Sequence, residues 1–334
     1  MLSLRSEIYP DFFSKKISHS DKSIFIGSCF SNNIGQKFID AKLPCTVNPF
    51  GVLYNPESVK NCIEIIIKKQ YFSEDDLLYF NEKWISFSHH GIFSGQDKDN
   101  VLRRINSNIE EAHLFLKESK YLYITFGTAL VYKNIKSGSI VANCHKIPSK
   151  EFEHFILKTE EIISGYADLI KRLHEFNPEI NIVFTASPVR HWKDGPVRNQ
   201  LSKSILMVAI HGLINKFENL SYFPSYEIMM DDLRDYRFYA NDLFHPNQLA
   251  IDYIWEKFSN ALLDKMAIET AKKVVQLKKN MEHRVFYPNT VAYLKFIDSN
   301  LKFISELQKQ NPTLKFDSEK EYFEAERSMY FPDI

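Results

Sequence analysis

A glycine, a hydroxyl and a thiol stand side by side at Gly27-Ser28-Cys29-Phe30, directly after the apolar run Ser23-Ile24-Phe25-Ile26. Where a strand hands over to a helix, such residues meet the unpaired backbone N–H groups and positive dipole end of that helix. A thiol there is expected to shift toward thiolate, its reactive form. The same residues also suit a structural role, with Ser28 capping the helix and Cys29 a small buried hydrophobe. Far along the chain, Asp242 precedes His245 by three positions in Asp242-Leu243-Phe244-His245-Pro246-Asn247. A carboxylate at that spacing on a turn can fix the imidazole tautomer and leave the other nitrogen free as a base. An ordinary polar loop ahead of a helix is the alternative.

For these groups to meet, the fold must carry two distant turns to one edge of a sheet. Short apolar runs that stop at turn residues predict strands at 22–26, after Pro44, at 121–126 and at 180–185. Residues 222–229 are expected to contain the last strand. Helices are expected at 31–39, from Pro56 to about Lys69, at 160–176, at 201–217 and from Pro246 onward. Strands alternating with helices over short connections predict an α/β fold, a parallel sheet covered on both faces. Beyond Lys265 the strand signals stop. Residues 1–264 thus read as one α/β domain and 265–334 as a helical extension packed on it, with a solvated tail from Asn311 as the alternative.

The composition narrows the partners. Lys+Arg and Asp+Glu are equal at 42 each, so no basic surface argues for nucleic acid. No basic, then apolar, N-terminal pattern reads as a signal peptide, and no run approaches the roughly 20 apolar residues of a membrane span. Four cysteines without a CxxC pair make neither a disulfide framework nor a structural zinc site. His89-His90 has no carboxylate at ligand spacing. A cytoplasmic protein without metal or cofactor is expected, and its oligomeric state stays open.

Further segments join the two turns into a set: GSCFS (27–31), NPFGVLYNP (48–56), FGTALVY (126–132), NCHKIP (143–148), SPVRH (187–191) and DLFHPN (242–247). Over roughly residues 20–262 the chain resembles the GSCFA family, which is grouped with the SGNH/GDSL hydrolases, with Ser31 in place of the final Ala. The resemblance implies a three-layer α/β/α, SGNH-hydrolase or flavodoxin-like fold. It aligns Gly27, Ser28 and Cys29 with the Gly-Asp-Ser nucleophile motif, which makes Cys29 the first choice of nucleophile and Ser28 the second. The Asp-x-x-His motif falls on Asp242 and His245, orienting partner and general base. Oxyanion donors would be the Cys29 N–H and Gly51 in the second block. The third block departs from its Gly-x-Asn-Asp pattern: Gly127 is kept, but Ala129 stands where Asn is expected. Thr128 or Asn143 would have to substitute.

Asn143, His145 and Lys146 form a polar cluster expected at the pocket rim. Arg190 follows a strand end and would hold a substrate carboxylate or phosphate, or else an internal salt bridge. Residues 234–239 are expected to brace the Asp-His turn. The activity implied is hydrolysis or acyl transfer on an ester or thioester of a small molecule or carbohydrate, through an acyl-enzyme. A binding module that keeps the fold without catalysis is the alternative, and a redox-sensing Cys29 a weaker third reading.

Overall fold

A computed structural model describes residues 6–11 and 13–332. From the N-terminus run β1 (Ser23–Gly27), α1 (Cys29–Asp40), β2 (Cys45–Val47) and α2 (Pro56–Lys68). The hairpin β3 (Leu78–Phe80) and β4 (Lys83–Ile85) precedes the long α3 (Lys98–Glu118) and β5 (Tyr121–Phe126). Next come β6 (Leu130–Asn134), β7 (Ile140–Val141), β8 (Phe152–Ile156), α4 (Thr159–Phe176), β9 (Asn181–Ala186) and α5 (Gly195–Ile214). After β10 (Leu220–Tyr222) and the one-turn α6 (Ser225–Glu227), the rest is helical: α7 (Gln248–Leu262), α8 (Lys265–Met281), α9 (Val291–Gln310) and α10 (Asp317–Tyr330).

Five strands form the central sheet in the order β10-β9-β5-β1-β2, every pairing parallel. Successive side chains on a strand point to opposite faces, and here they feed two cores. Ile24, Ile26, Leu122, Ile124, Phe126, Ile182 and Phe184 pack with Ile63 of α2, Ile105 of α3, Ile170 of α4 and Leu206 of α5. Phe25, Tyr121, Tyr123 and Val183 face the other way, against Phe30, Ile34 and Phe38 of α1 and Ile254 and Phe258 of α7. The architecture is therefore three layers, helices on both faces of a parallel sheet.

Several features depart from the sequence expectation or decide between its alternatives. Residues 222–229 hold only the end of β10; from Ser225 the chain turns helical, through α6 and a π-turn at Ile228–Asp232. The strand ends there because the Thr185 hydroxyl donates to the Phe223 carbonyl (2.6 Å) and Ser225 donates back to Ala186 (2.7 Å), which turns the backbone out of the ladder. Helix α3 and the antiparallel sheet β7-β6-β8 were not anticipated. The stretch from Asn311 is not a solvated tail: it carries α10, whose Phe323 is fully buried with Leu277, Ile297, Ile304 and Phe316 in a third core built by α8, α9 and α10. Asp264 caps the first of these helices by accepting from the Ala267 N–H (2.7 Å).

Candidate active site

The carboxyl ends of β1, β5 and β9, three neighbours in the sheet, open onto one cavity of about 390 Å³. In open α/β sheets this edge is where ligands bind. Ser28 and Cys29 follow β1, Gly127 and Thr128 follow β5, and Ser187, Arg190 and His191 follow β9; Phe244 and His245 close the cavity from the distant turn. The two segments far apart in sequence thus border the same space.

Gly27 makes the first turn possible. Its φ is +146°, a region L side chains rarely adopt, and a Cβ there would lie 2.2 Å from the Thr125 carbonyl oxygen. The Ser28 N–H continues the β1–β5 ladder to that same carbonyl (3.1 Å), while the Ser28 hydroxyl accepts from the Phe30 N–H (3.3 Å) as the N-cap of α1. Ser28 is only 1% exposed. Cys29 takes the first helical position with its thiol toward the cavity wall, half-buried. Burial pushes the Cys29 thiol above its ordinary value, and the Lys203 ammonium only partly offsets this. The expected shift toward thiolate is thus reversed, because desolvation of the charged form outweighs the helix terminus.

On the facing turn, Asp242 Oδ1 accepts from the Phe244 and His245 N–H groups (2.9 and 3.0 Å), and Oδ2 meets His245 Nδ1 at 2.5 Å. These bonds, the backbone ones foremost, hold the Asp242 carboxyl down to about 2. The geometry assigns the Nδ1 proton to the Asp242 side and leaves Nε2 free. The preceding segment backs this turn: Asn247 donates to the Arg237 carbonyl (2.6 Å), and the Ala240 N–H donates to the His245 carbonyl (2.8 Å).

The oxyanion candidates fare differently. The Gly127 and Thr128 N–H groups both donate to the Tyr54 carbonyl (2.8 and 2.9 Å), so neither points at the cavity. The Thr128 hydroxyl pairs with Ser202 (3.0 Å) and accepts from the Leu130 N–H (3.1 Å). Ala129 is fully buried. Gly51 lies away from the cavity lining, with His90 packed where a Cβ would be (2.4 Å). Asn143 and His145 do not line it either. Asn143 accepts from the His145 N–H (2.8 Å), and His145 Nε2 meets the Ser86 carbonyl (2.8 Å), tying both to the loop before His89. His89 stacks on Phe50 at 4.2 Å, and burial lowers it to about 3, a neutral packing group. Among the described residues no cluster of three or more His, Cys, Asp or Glu is placed to hold a metal ion. Nor is any described helix long and apolar enough to cross a membrane.

Several lining residues were missed from the sequence. Tyr54 borders the cavity, and its phenol, raised mainly by burial, also senses the Cys29 charge. Trp192 stacks on Phe244 at 5.0 Å, joining the segment after β9 to the Asp-His turn. Beneath the cavity lies Lys203, fully buried, donating to the carbonyls of Gly127 (2.8 Å) and Ser187 (2.7 Å). Burial lowers its ammonium to about 7. The signal for Lys203 was in the sequence: it falls on the stripe Leu206, Ile210, Leu213 of α5, where a cation is out of place unless it has work to do.

Comparison with known proteins adds a family and a set of loose structural likenesses. The model described as "GSCFA family" matches residues 22–258, and that described as "GSCFA domain protein, C-terminal domain" matches residues 274–327. No curated protein matches. Among solved structures, an acetyl xylan esterase from the rumen bacterium Butyrivibrio proteoclasticus is similar over 72% of this chain and 63% of its own, at 10% identity and a TM-score of 0.37. A carbohydrate esterase family 3 protein from Talaromyces cellulolyticus is similar over 75% of this chain and 98% of its own, at 8% identity and a TM-score of 0.36. A family 3 carbohydrate esterase from Clostridium thermocellum is similar over 77% and 99%, at 9% identity and a TM-score of 0.31. The chain spans less than two thirds of the first of these. Scores this low describe a loose agreement of chain path.

Proposed function

The chain belongs to the GSCFA family, and from that premise we propose that it is a thiol-dependent esterase or acyltransferase of the SGNH type. Cys29 is the nucleophile, His245 the general base and Asp242 its orienting partner. The observation that carries this reading is the cavity bordered by both Cys29 and His245, with Asp242 bonded to the far nitrogen of the imidazole. Because burial keeps the Cys29 thiol protonated at rest, its proton must leave during attack. His245 Nε2 takes it as sulfur bonds to the ester carbonyl carbon. Collapse of the tetrahedral oxyanion breaks the carbon–oxygen bond, and the imidazolium returns the proton to the departing alkoxide. Water, or an acceptor hydroxyl, then attacks the thioester with His245 again taking the proton, and the thiol is restored.

The developing oxyanion needs donors that are not already used. The Cys29 N–H at the start of α1 and the Tyr54 hydroxyl fill that role here, since the Gly127 and Thr128 N–H groups serve the Tyr54 carbonyl instead. A thioester intermediate transfers readily to alcohols and amines, so acyl transfer belongs to this reading as much as hydrolysis. The test is a panel of acyl p-nitrophenyl and thioester substrates on wild type, Cys29→Ala, Ser28→Ala, Tyr54→Phe and His245→Ala. Turnover lost in Cys29→Ala and His245→Ala, kept in Ser28→Ala and reduced about 10-fold to 100-fold in Tyr54→Phe is expected. Turnover lost in Ser28→Ala but kept in Cys29→Ala would overturn the choice of nucleophile.

A second reading has one observation in its favour. With Ala129 buried in place of the usual Asn and the Thr128 donors engaged, the same cavity serves a binding module without turnover. An iodoacetamide probe that fails to label Cys29 in the folded protein, together with no turnover across the panel, would favour it.

A further inference from the structure

Arg190 stands at a junction. It borders the cavity of Cys29 and His245, and also a neighbouring cavity of about 420 Å³ lined by Trp192, Tyr236, Tyr239 and Phe244. Its Nε is buried without a hydrogen-bond partner, and among the described residues no carboxylate pairs with its guanidinium. The face of Trp192 lies 4.9 Å from it, and the phenols of Tyr226 and Tyr239 are near enough to feel its charge. The chain's other arginines near this edge are treated differently: Arg234 pairs with Asp231 (2.5 Å) and Arg237 with Asp235 (2.9 Å). A guanidinium is always charged at working pH, and leaving one half-buried without an anion is unfavourable.

Lys193 also borders the catalytic cavity, Lys203 lies beneath it, and no Asp or Glu lines it, while His191 on the same wall is held toward its neutral form by burial. The carboxylate of the neighbouring cavity, Asp235, is taken by Arg237. Lys193 is held by the Tyr132 hydroxyl (3.0 Å), and His191 lies 3.7 Å from Asp194, so these two have local partners. Arg190 does not. Its donors, in a rigid planar fork, match a carboxylate or a phosphate in a two-pronged bond.

We propose that the ester taken by this site carries an anionic group, a carboxylate or a phosphate, which Arg190 receives at the junction of the two cavities. This rests on the esterase reading only for the word ester; the anion site itself does not depend on turnover. The reacting carbonyl sits at Cys29 and the anion at Arg190, which selects acyl compounds with the charge on the group projecting toward Trp192.

The test measures binding by calorimetry in Cys29→Ala protein, which cannot form the acyl-enzyme. Three matched ligands are used: 4-acetoxybenzoate, 4-acetoxyphenyl phosphate and the neutral methyl 4-acetoxybenzoate. At least one anion should bind about 10-fold or more tightly than the neutral ester, and the stronger of the two identifies carboxylate or phosphate as the group. Adding Arg190→Met should bring the ratio of anionic to neutral affinity close to one, and Arg190→Lys should restore part of it. Thermal melts of each variant verify folding, and the ratio within one protein cancels any general loss. Equal affinities for charged and neutral ligands, an unchanged ratio in Arg190→Met, or no anion binding at millimolar concentration would overturn the proposal. A protein that prefers the anions yet turns over no ester would leave this site standing and remove the esterase.

Discussion

Asp242→Asn tests the imidazole at the scale of a single atom. The amide oxygen would still accept from the Phe244 and His245 N–H groups, so the turn survives, but the amide nitrogen would face Nδ1 as a donor. That forces the proton onto Nε2, the nitrogen that must be bare to act as base. A loss of about 10²- to 10⁴-fold in kcat with little change in KM is expected from steady-state kinetics; a loss below about threefold would remove Asp242 from the mechanism. Lys203 offers a second measurement. Its folded value of about 7 lies below the ordinary 10.5. Between those limits the unfolded chain binds a proton that the folded one does not, so this group makes stability rise as pH increases from 7 to 10.5. Lys203→Met should flatten that rise, worth on the order of a few kcal/mol, in denaturant titrations at successive pH values. An equally steep rise in the variant would show that Lys203 does not titrate in this window. At this scale the sequence pointed to Cys29 and to the Asp242–His245 pair because short local motifs name them. Gly51, Asn143 and His145, also expected at the site, stand outside the cavity lining, and the Gly127 and Thr128 N–H groups are spent on Tyr54, since nothing local says which way a loop residue faces or where its N–H bonds.

The turn between β1 and α1 gives the prediction for elements. Gly27→Ala places a methyl against the Thr125 carbonyl and asks for a φ that alanine resists. A destabilisation of several kcal/mol, on the order of the larger single-site losses, should show as a lowered thermal midpoint, and an unchanged midpoint would mean that the strand ends shift to make room. Strands β1, β5 and β9 and helices α1, α2, α4 and α7 were legible because buried parallel strands are unbroken apolar runs and their helices carry apolar stripes. Helix α3 was legible in principle, with Val101, Ile105, Ile109, Ala112 and Leu116 at helical spacing after the Asp97 cap. The sheet β7-β6-β8 was not. Its strands are short and two of its three carry mixed side chains, so only pairing across distant sequence, such as Val131 with Phe155, defines them.

For the molecule as a whole, the three C-terminal helices matter through the core they share. Phe323→Ala removes a fully buried ring from that core, and a cost of about 3–5 kcal/mol is expected in chemical denaturation. A cost below about 1 kcal/mol would show that α10 contributes little to the fold. Lys278 reaches Asp40 (2.7 Å) and Lys42 reaches Glu319 (2.8 Å), so this helical unit is fastened around the far end of α1, the helix whose first residue is Cys29. The net charge of the chain, zero from equal numbers of acids and bases, concealed the local excess of cations at the cavity, because a total says nothing of distribution.

The Trp192–Phe244 stack has a mechanical consequence. One ring hangs from the segment after β9, and the other is chained directly to His245. A guest broad enough to wedge these rings apart would drag the imidazole off its aim as it entered. Under the proposed mechanism, admission and reactivity would thus be geared together: whatever is too wide for the gap between two aromatic plates would also displace the proposed base.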